Sequence, residues 1–213
     1  MKNFNVLLWV VLFSIAFAFV EASVVVYLRE IYHPEGFSFP LKTLAAHHGV
    51  VEIFREFSTI VILVAVGFLA GTTRWQKTAW FLIAFGIWDI FYYVWLKAIL
   101  GWPASLFDWD ILFLIPVPWI GPVIAPLLIS FMLVLAGALI LQRERSGGFR
   151  APLSSWAFAG AGTVAVLYSF MRDTQAGFGP AEPEPFSYGV FASGIAFYLI
   201  GMFFAFRTVT QKE

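Results

Sequence analysis

The sequence predicts an all-α integral membrane protein: a helical bundle of six transmembrane helices, the fourth broken by prolines at its outer end. Three observations predict it. Of the 213 residues, 61% are hydrophobic and only 12% charged, against about 45–50% and about 25% in soluble domains. Such a chain cannot cover a water-facing surface, which excludes a soluble enzyme, a nucleic-acid binder and a disordered tail. Apolar stretches near the length of about 20 residues that a membrane helix needs recur six times. Cysteine is absent, which excludes disulfides, thiolate metal sites and iron–sulfur clusters.

The first span covers 4–28. Its apolar run and Val20-Glu21-Ala22 imitate a signal peptide with its cleavage site. The run exceeds a typical hydrophobic region of about 7–15 residues, and Glu21 sits poorly at such a junction. An uncleaved first helix is expected. Spans two and three cover 44–70 and 78–100, separated by Gly71-Thr72-Thr73-Arg74. The fourth, 111–141, is the longest. It contains Pro116, Pro118, Pro122 and Pro126 with Gly121 among them, and each interior proline costs a helix about 3 kcal/mol. Residues 115–122 therefore cannot be continuous helix, and a regular helix is expected from Pro122 or Val123. Irregular backbone at membrane depth must be buried in protein or line a wet cavity, so this segment should border a polar site, with Trp102, Trp109 and Trp119 as headgroup anchors.

Spans five and six cover 156–171 and 187–206, after the breaks Ser146-Gly147-Gly148 and Gly177-Phe178-Gly179-Pro180. Their polar content is low, and Ala159-Gly160-Ala161-Gly162, Gly194 and Gly201 supply small residues for close helix contact. One transmembrane domain over 1–213 is expected. Its first four spans (1–141) carry the polar site, and its last two (151–206) support it.

Basic residues set the orientation. With a cytoplasmic N-terminus the inner loops hold Lys2, Arg74, Lys77, Arg143, Arg145, Arg150, Arg207 and Lys212, with Glu144 and Glu213 as the inner acids. Arg29, Lys42, Arg55, Lys97 and Arg172 fall in the outer half, together with every other acid, including the Glu182-Pro183-Glu184-Pro185 turn. This bias meets the positive-inside rule. The expected location is the inner (cell) membrane, with both termini cytoplasmic.

Four acids lie within spans. Counted at about 1.5 Å per residue from the outer helix ends, Glu21, Glu52, Glu56 and Asp89 share one slab. On the second span His48, Glu52, Arg55, Glu56 and Thr59 form one helical stripe; on the third, Asp89, Tyr92, Tyr93 and Lys97 form another. Each unpaired charge at such depth costs about 2.5–3.5 kcal/mol, so four carboxylates would cost on the order of 10 kcal/mol. Arg55 and Lys97 can balance two; the rest need protons, a divalent cation, or Arg29 reaching inward.

The leading functional reading is a metal-dependent, oxidoreductase-like membrane enzyme acting on a lipid-soluble or periplasmic substrate. Glu21, His48, Glu52, Glu56 and Asp89 would ligate Fe, Mn or Zn, with Asp110 joining from the fourth span. Arg55 and Lys97 would balance charge, and Tyr93 would donate a proton or hydrogen bond. A bis-histidine haem finds only His33 and the adjacent His47 and His48, which argues against haem. Two other readings stay open: a proton or cation pathway using the same acids, and a non-catalytic subunit of a larger membrane complex. The competing structural explanation is a buried ion-pair network of Glu52–Arg55–Glu56 and Asp89–Lys97. No clustered-histidine set, His-Glu-x-x-His helix or paired-glutamate protease motif is present.

Overall fold

The computed structural model describes residues 2–39, 41–42, 44–177 and 183–207. Glu182, Lys212 and Glu213, which entered the charge count, and the break at 178–180 lie outside the described residues. Among the described residues, six helices are long and apolar enough to cross a membrane: α1 (Lys2–Tyr32), α2 (Ala46–Ala70), α3 (Arg74–Leu100), α4 (Ile124–Arg145), α5 (Leu153–Met171) and α6 (Tyr188–Arg207). Large apolar side chains such as Trp9, Phe54, Leu69 and Val164 point outward and are mostly exposed. In a bilayer these are the lipid-facing groups, and the chain is an integral membrane protein.

The fourth span corrects the sequence expectation. It starts at Ile124, and what precedes it is not an interrupted helix. Two short strands, β1 (Trp109–Phe113) and β2 (Trp119–Pro122), pair antiparallel, with Asp110 opposite Gly121 and Ile111 opposite Ile120. The prolines explain both halves of this outcome. Pro116 and Pro118 sit in the turn, where no ladder donor is needed. Pro126 falls in the first turn of α4, where backbone N–H groups have no intrahelical partner anyway. The hairpin is joined to the start of α4 by Val123 N–H donating to Asp108 O (3.0 Å) and Ile124 N–H to Leu106 O (2.8 Å).

Helix α3 is the central support. Thr73 caps its start by accepting from Gln76 N–H at 3.1 Å. Gly101 ends it in the left-handed region at φ +69°, a conformation that side chains with a Cβ resist. Against α4 the contact is backbone-close: a Cβ at Gly86 would lie 2.4 Å from Ser130 O, and one at Gly137 would lie 2.6 Å from Ala79 O. Ser14, Ala18 and Ala22 form a buried small-residue stripe on α1, and Trp95 Nε1 on α3 donates to Ile15 O at 3.0 Å.

The buried residues of α2 are Glu52, Glu56, Thr59, Leu63 and Gly67, a single stripe at helical spacing. Its lower half meets α3 closely, since a Cβ at Gly67 would meet Lys77 O at 2.6 Å. Its upper half buries polar side chains instead. Helices α1 and α2 both lean on α3 and meet one another mainly through polar side chains, and the space between their backbones is the site described next. Helices α5 and α6 close on each other at Gly162 and Gly194. They reach the rest of the protein through the hairpin, where Trp119 stacks on Phe170 and Trp109 meets Phe186 edge-on. At the opposite end Phe149 links Trp75 and Phe206.

Candidate functional site: a carboxylate cavity between α1, α2 and α3

A cavity of about 330 Å³ opens between α1 and α2, with α3 and the hairpin as its other walls. Glu21, Glu52, Glu56, Asp89 and Asp110 all line it, as do Arg29, Arg55, Tyr92, Tyr93 and Trp88. Four of the carboxylates expected from sequence, and Asp110 with them, thus border one space.

Every one of these carboxylates has a partner. Arg55 is shared by two: its Nε and Nη2 donate to Glu52 Oε2 at 2.8 and 2.6 Å, and it forms an ion pair with Glu21. Thr59 Oγ1 donates to the other oxygen of Glu21 at 3.1 Å. The Glu56 carboxylate accepts the Leu114 backbone N–H at 2.8 and 3.1 Å, so a residue of the hairpin turn region ties down a charge on α2. Asp89 accepts from Ser130 Oγ at 2.7 Å. Arg29 Nη2 donates to Asp110 Oδ1 at 2.9 Å, and its guanidinium lies between the Phe37 and Trp102 rings at 4.1 and 3.8 Å. Burial pushes the Asp110 carboxyl up to about 6, against the pull of Arg29, and Tyr93 lies beside it. Burial, with Lys42 and Arg29 nearby, holds the His33 imidazole below the usual histidine range.

Two expected members stand apart. His48 shares a 2.6 Å hydrogen bond with the Tyr32 hydroxyl, which also accepts from Ala45 N–H at 3.0 Å, and it is not among the cavity-lining residues. Lys97 does not pair with Asp89: its Nζ donates to Gly101 O at 2.9 Å and Pro103 O at 2.7 Å, in the loop just past the end of α3. Arg29 does face the cavity, one of the three ways of balancing charge that the sequence left open, but it serves Asp110. Among the described residues, no three His, Asp or Glu side chains come together as a metal-holding group.

Two contributors escaped sequence reasoning. The Leu114 N–H is a backbone group with no signature of its own. Trp88, which the stripe count passed over, lines the cavity with an indole N–H that is buried and has no partner. The Trp88-Asp89 neighbourhood was the available signal, since adjacent helical residues at a cavity edge can both border it.

The charge balance follows from these contacts. Arg29 is matched by Asp110, and Arg55 by one of Glu21 and Glu52. Glu56, Asp89 and the second acid sharing Arg55 have hydrogen bonds but no guanidinium of their own. Lys42 is exposed at the mouth. No family model, curated protein or solved structure matches this chain, so its chemistry is argued from the cavity alone.

Proposed function

We propose that this is a multi-pass protein of the inner (cell) membrane, with cytoplasmic termini, whose cavity takes up protons or a cation from the outer side. One observation carries the reading: five carboxylates line the cavity, and only Arg29, Arg55 and the exposed Lys42 accompany them there as cations. An uncompensated charge in a low-dielectric site costs several kcal/mol, so the surplus carboxyl groups need a proton or a positively charged guest. The hydrogen bonds from Leu114 N–H and Ser130 Oγ orient Glu56 and Asp89 without neutralising them. Carboxyl groups held in place but short of positive charge are suited to exchanging it.

The metal-dependent oxidoreductase reading draws less support. Its ligand set counted His48 beside Glu52, whereas His48 is engaged by Tyr32. The carboxylates are spread along the walls, and only Glu21 and Glu52 share a partner, Arg55.

Dicyclohexylcarbodiimide, which enters membranes and reacts with protonated carboxyl groups, tests the proposal. Purified protein in nanodiscs should be labelled at Glu56 or Asp89. Labelling should fall across a pH series from acid to alkaline, since the reagent needs the protonated acid, and Glu56→Gln and Asp89→Asn should each lose their own site by peptide mass mapping. Absence of labelling at every cavity carboxyl over that range would show permanently ionised, locked groups and overturn the proposal.

A further inference from the structure

We infer that the cation this cavity accepts is an amphiphilic amine, entering from the lipid through the seam between α1 and α2. The inference rests on the cation reading above and adds the chemical class of the guest. The space of about 330 Å³ falls in the range of small-molecule sites, about 300–1,000 Å³, and is far larger than a bare ion needs. An inorganic ion also requires converging ligands, and the described residues offer no such group. Negative charge spread along a wall suits instead a guest whose ammonium end is broad and donates hydrogen bonds.

The walls agree with this. Trp88, Tyr92 and Tyr93 present aromatic surface beside the acids, and ring faces attract ammonium groups. The Trp88 side chain, 96% of whose residue surface is covered, lies at this wall with an indole N–H that has no partner. The route follows from the helices. Between the Tyr32–His48 hydrogen bond and the bridges from Glu21 to Arg55 and Thr59, the cavity is lined by Val25 of α1 and Gly49 and Ile53 of α2, an apolar edge on lipid-facing helices. A polar head can lodge among the acids while an alkyl tail stays in the seam.

N-dodecyldiethanolamine, a tertiary amine with hydroxyl groups, is the probe. In nanodiscs without amino lipids it should slow carbodiimide labelling of Glu56 or Asp89 by at least about tenfold. Dodecanol (same tail, neutral), N-butyldiethanolamine (same head, short tail) and magnesium should not. Equal protection by dodecanol, or by the short amine or magnesium, would overturn the amphiphile while leaving the cation reading intact; no labelling in the absence of any guest would overturn both. Gly49→Phe separates the seam from bulk effects. A Cβ there meets no atom within 4 Å, so the variant should keep its circular dichroism spectrum and melting temperature yet lose the thermal shift that the amine gives wild type. An undiminished shift would refute entry by the seam. Protection in phosphatidylethanolamine nanodiscs without added amine would identify the bilayer's own amino headgroup as a source of the guest.

Discussion

Replacing Arg55 by methionine is the sharpest test of how the cavity is held. Arg55 gives two charged hydrogen bonds to Glu52 and an ion pair to Glu21, and the side chains of these acids are only 7% and 9% exposed. Removing one partner of a buried pair costs about 3–5 kcal/mol, because the other charge is left without compensation. Here two acids lose their shared cation, which places Arg55→Met at the upper end of that range. Glu52→Gln should behave differently. It leaves Arg55 facing Glu21 one to one, so the loss of a hydrogen bond is offset by relief of the surplus charge, and the net cost should stay within about 1 kcal/mol. The triple variant Glu21→Gln, Glu52→Gln, Arg55→Met should recover most of the loss. Reversible unfolding in mixed detergent micelles, read by tryptophan fluorescence, measures all three. A cost below about 1 kcal/mol for Arg55→Met, or a triple variant no better than the single one, would refute the shared-cation account.

Two further outcomes follow from the same contacts. Since Asp110 titrates at about 6 in the fold against 3.8 ordinarily, the folded protein keeps a proton between those values that the unfolded chain has released. Stability should therefore be highest at the acid end of that window, decline as pH rises through it and level off above; Asp110→Asn should flatten this slope in a pH series of unfolding midpoints, and an unchanged slope would refute the assignment. Gly86→Ala places a methyl group 2.4 Å from Ser130 O and should cost about 1–3 kcal/mol by parting α3 from α4, whereas Gly160→Ala, with nothing within 4 Å, should unfold at or slightly above the wild-type midpoint.

Much of the architecture is legible in the sequence, for physical reasons that also mark where legibility ends. The helices follow from apolar length, and the buried stripe of α2 follows from the spacing of Glu52, Glu56 and Thr59, because a charged residue in a span has few places to go but inward. His48 and Lys97 fit the same periodicities and still part from the cavity. Both lie near helix ends, where free backbone groups and loop side chains compete for them: Tyr32 takes His48, and the carbonyls of Gly101 and Pro103 take Lys97. Periodicity reports direction around a helix axis, not rivalry at its ends. The proline-rich segment shows a second limit. Its sequence forbids a helix, yet strand pairing between Trp109–Phe113 and Trp119–Pro122 depends on which backbone groups meet, and side-chain pattern says little about that. The Leu114 N–H that holds Glu56 was hidden for the same reason.

That single hydrogen bond has a consequence for biogenesis. Glu56 enters the membrane with α2, while the N–H that receives it belongs to a residue 58 positions later in the chain. Since α1 serves Arg55, Thr59 and His48 of α2 but not Glu56, the newly inserted second helix carries an unserved Glu56 until the hairpin has been synthesised and folded back. The four leading helices must therefore mature together, late and cooperatively. A ribosome-bound intermediate halted after α3 should linger at the insertion machinery or associate with a chaperone, and release should coincide with emergence of the segment that ends the wait of Glu56.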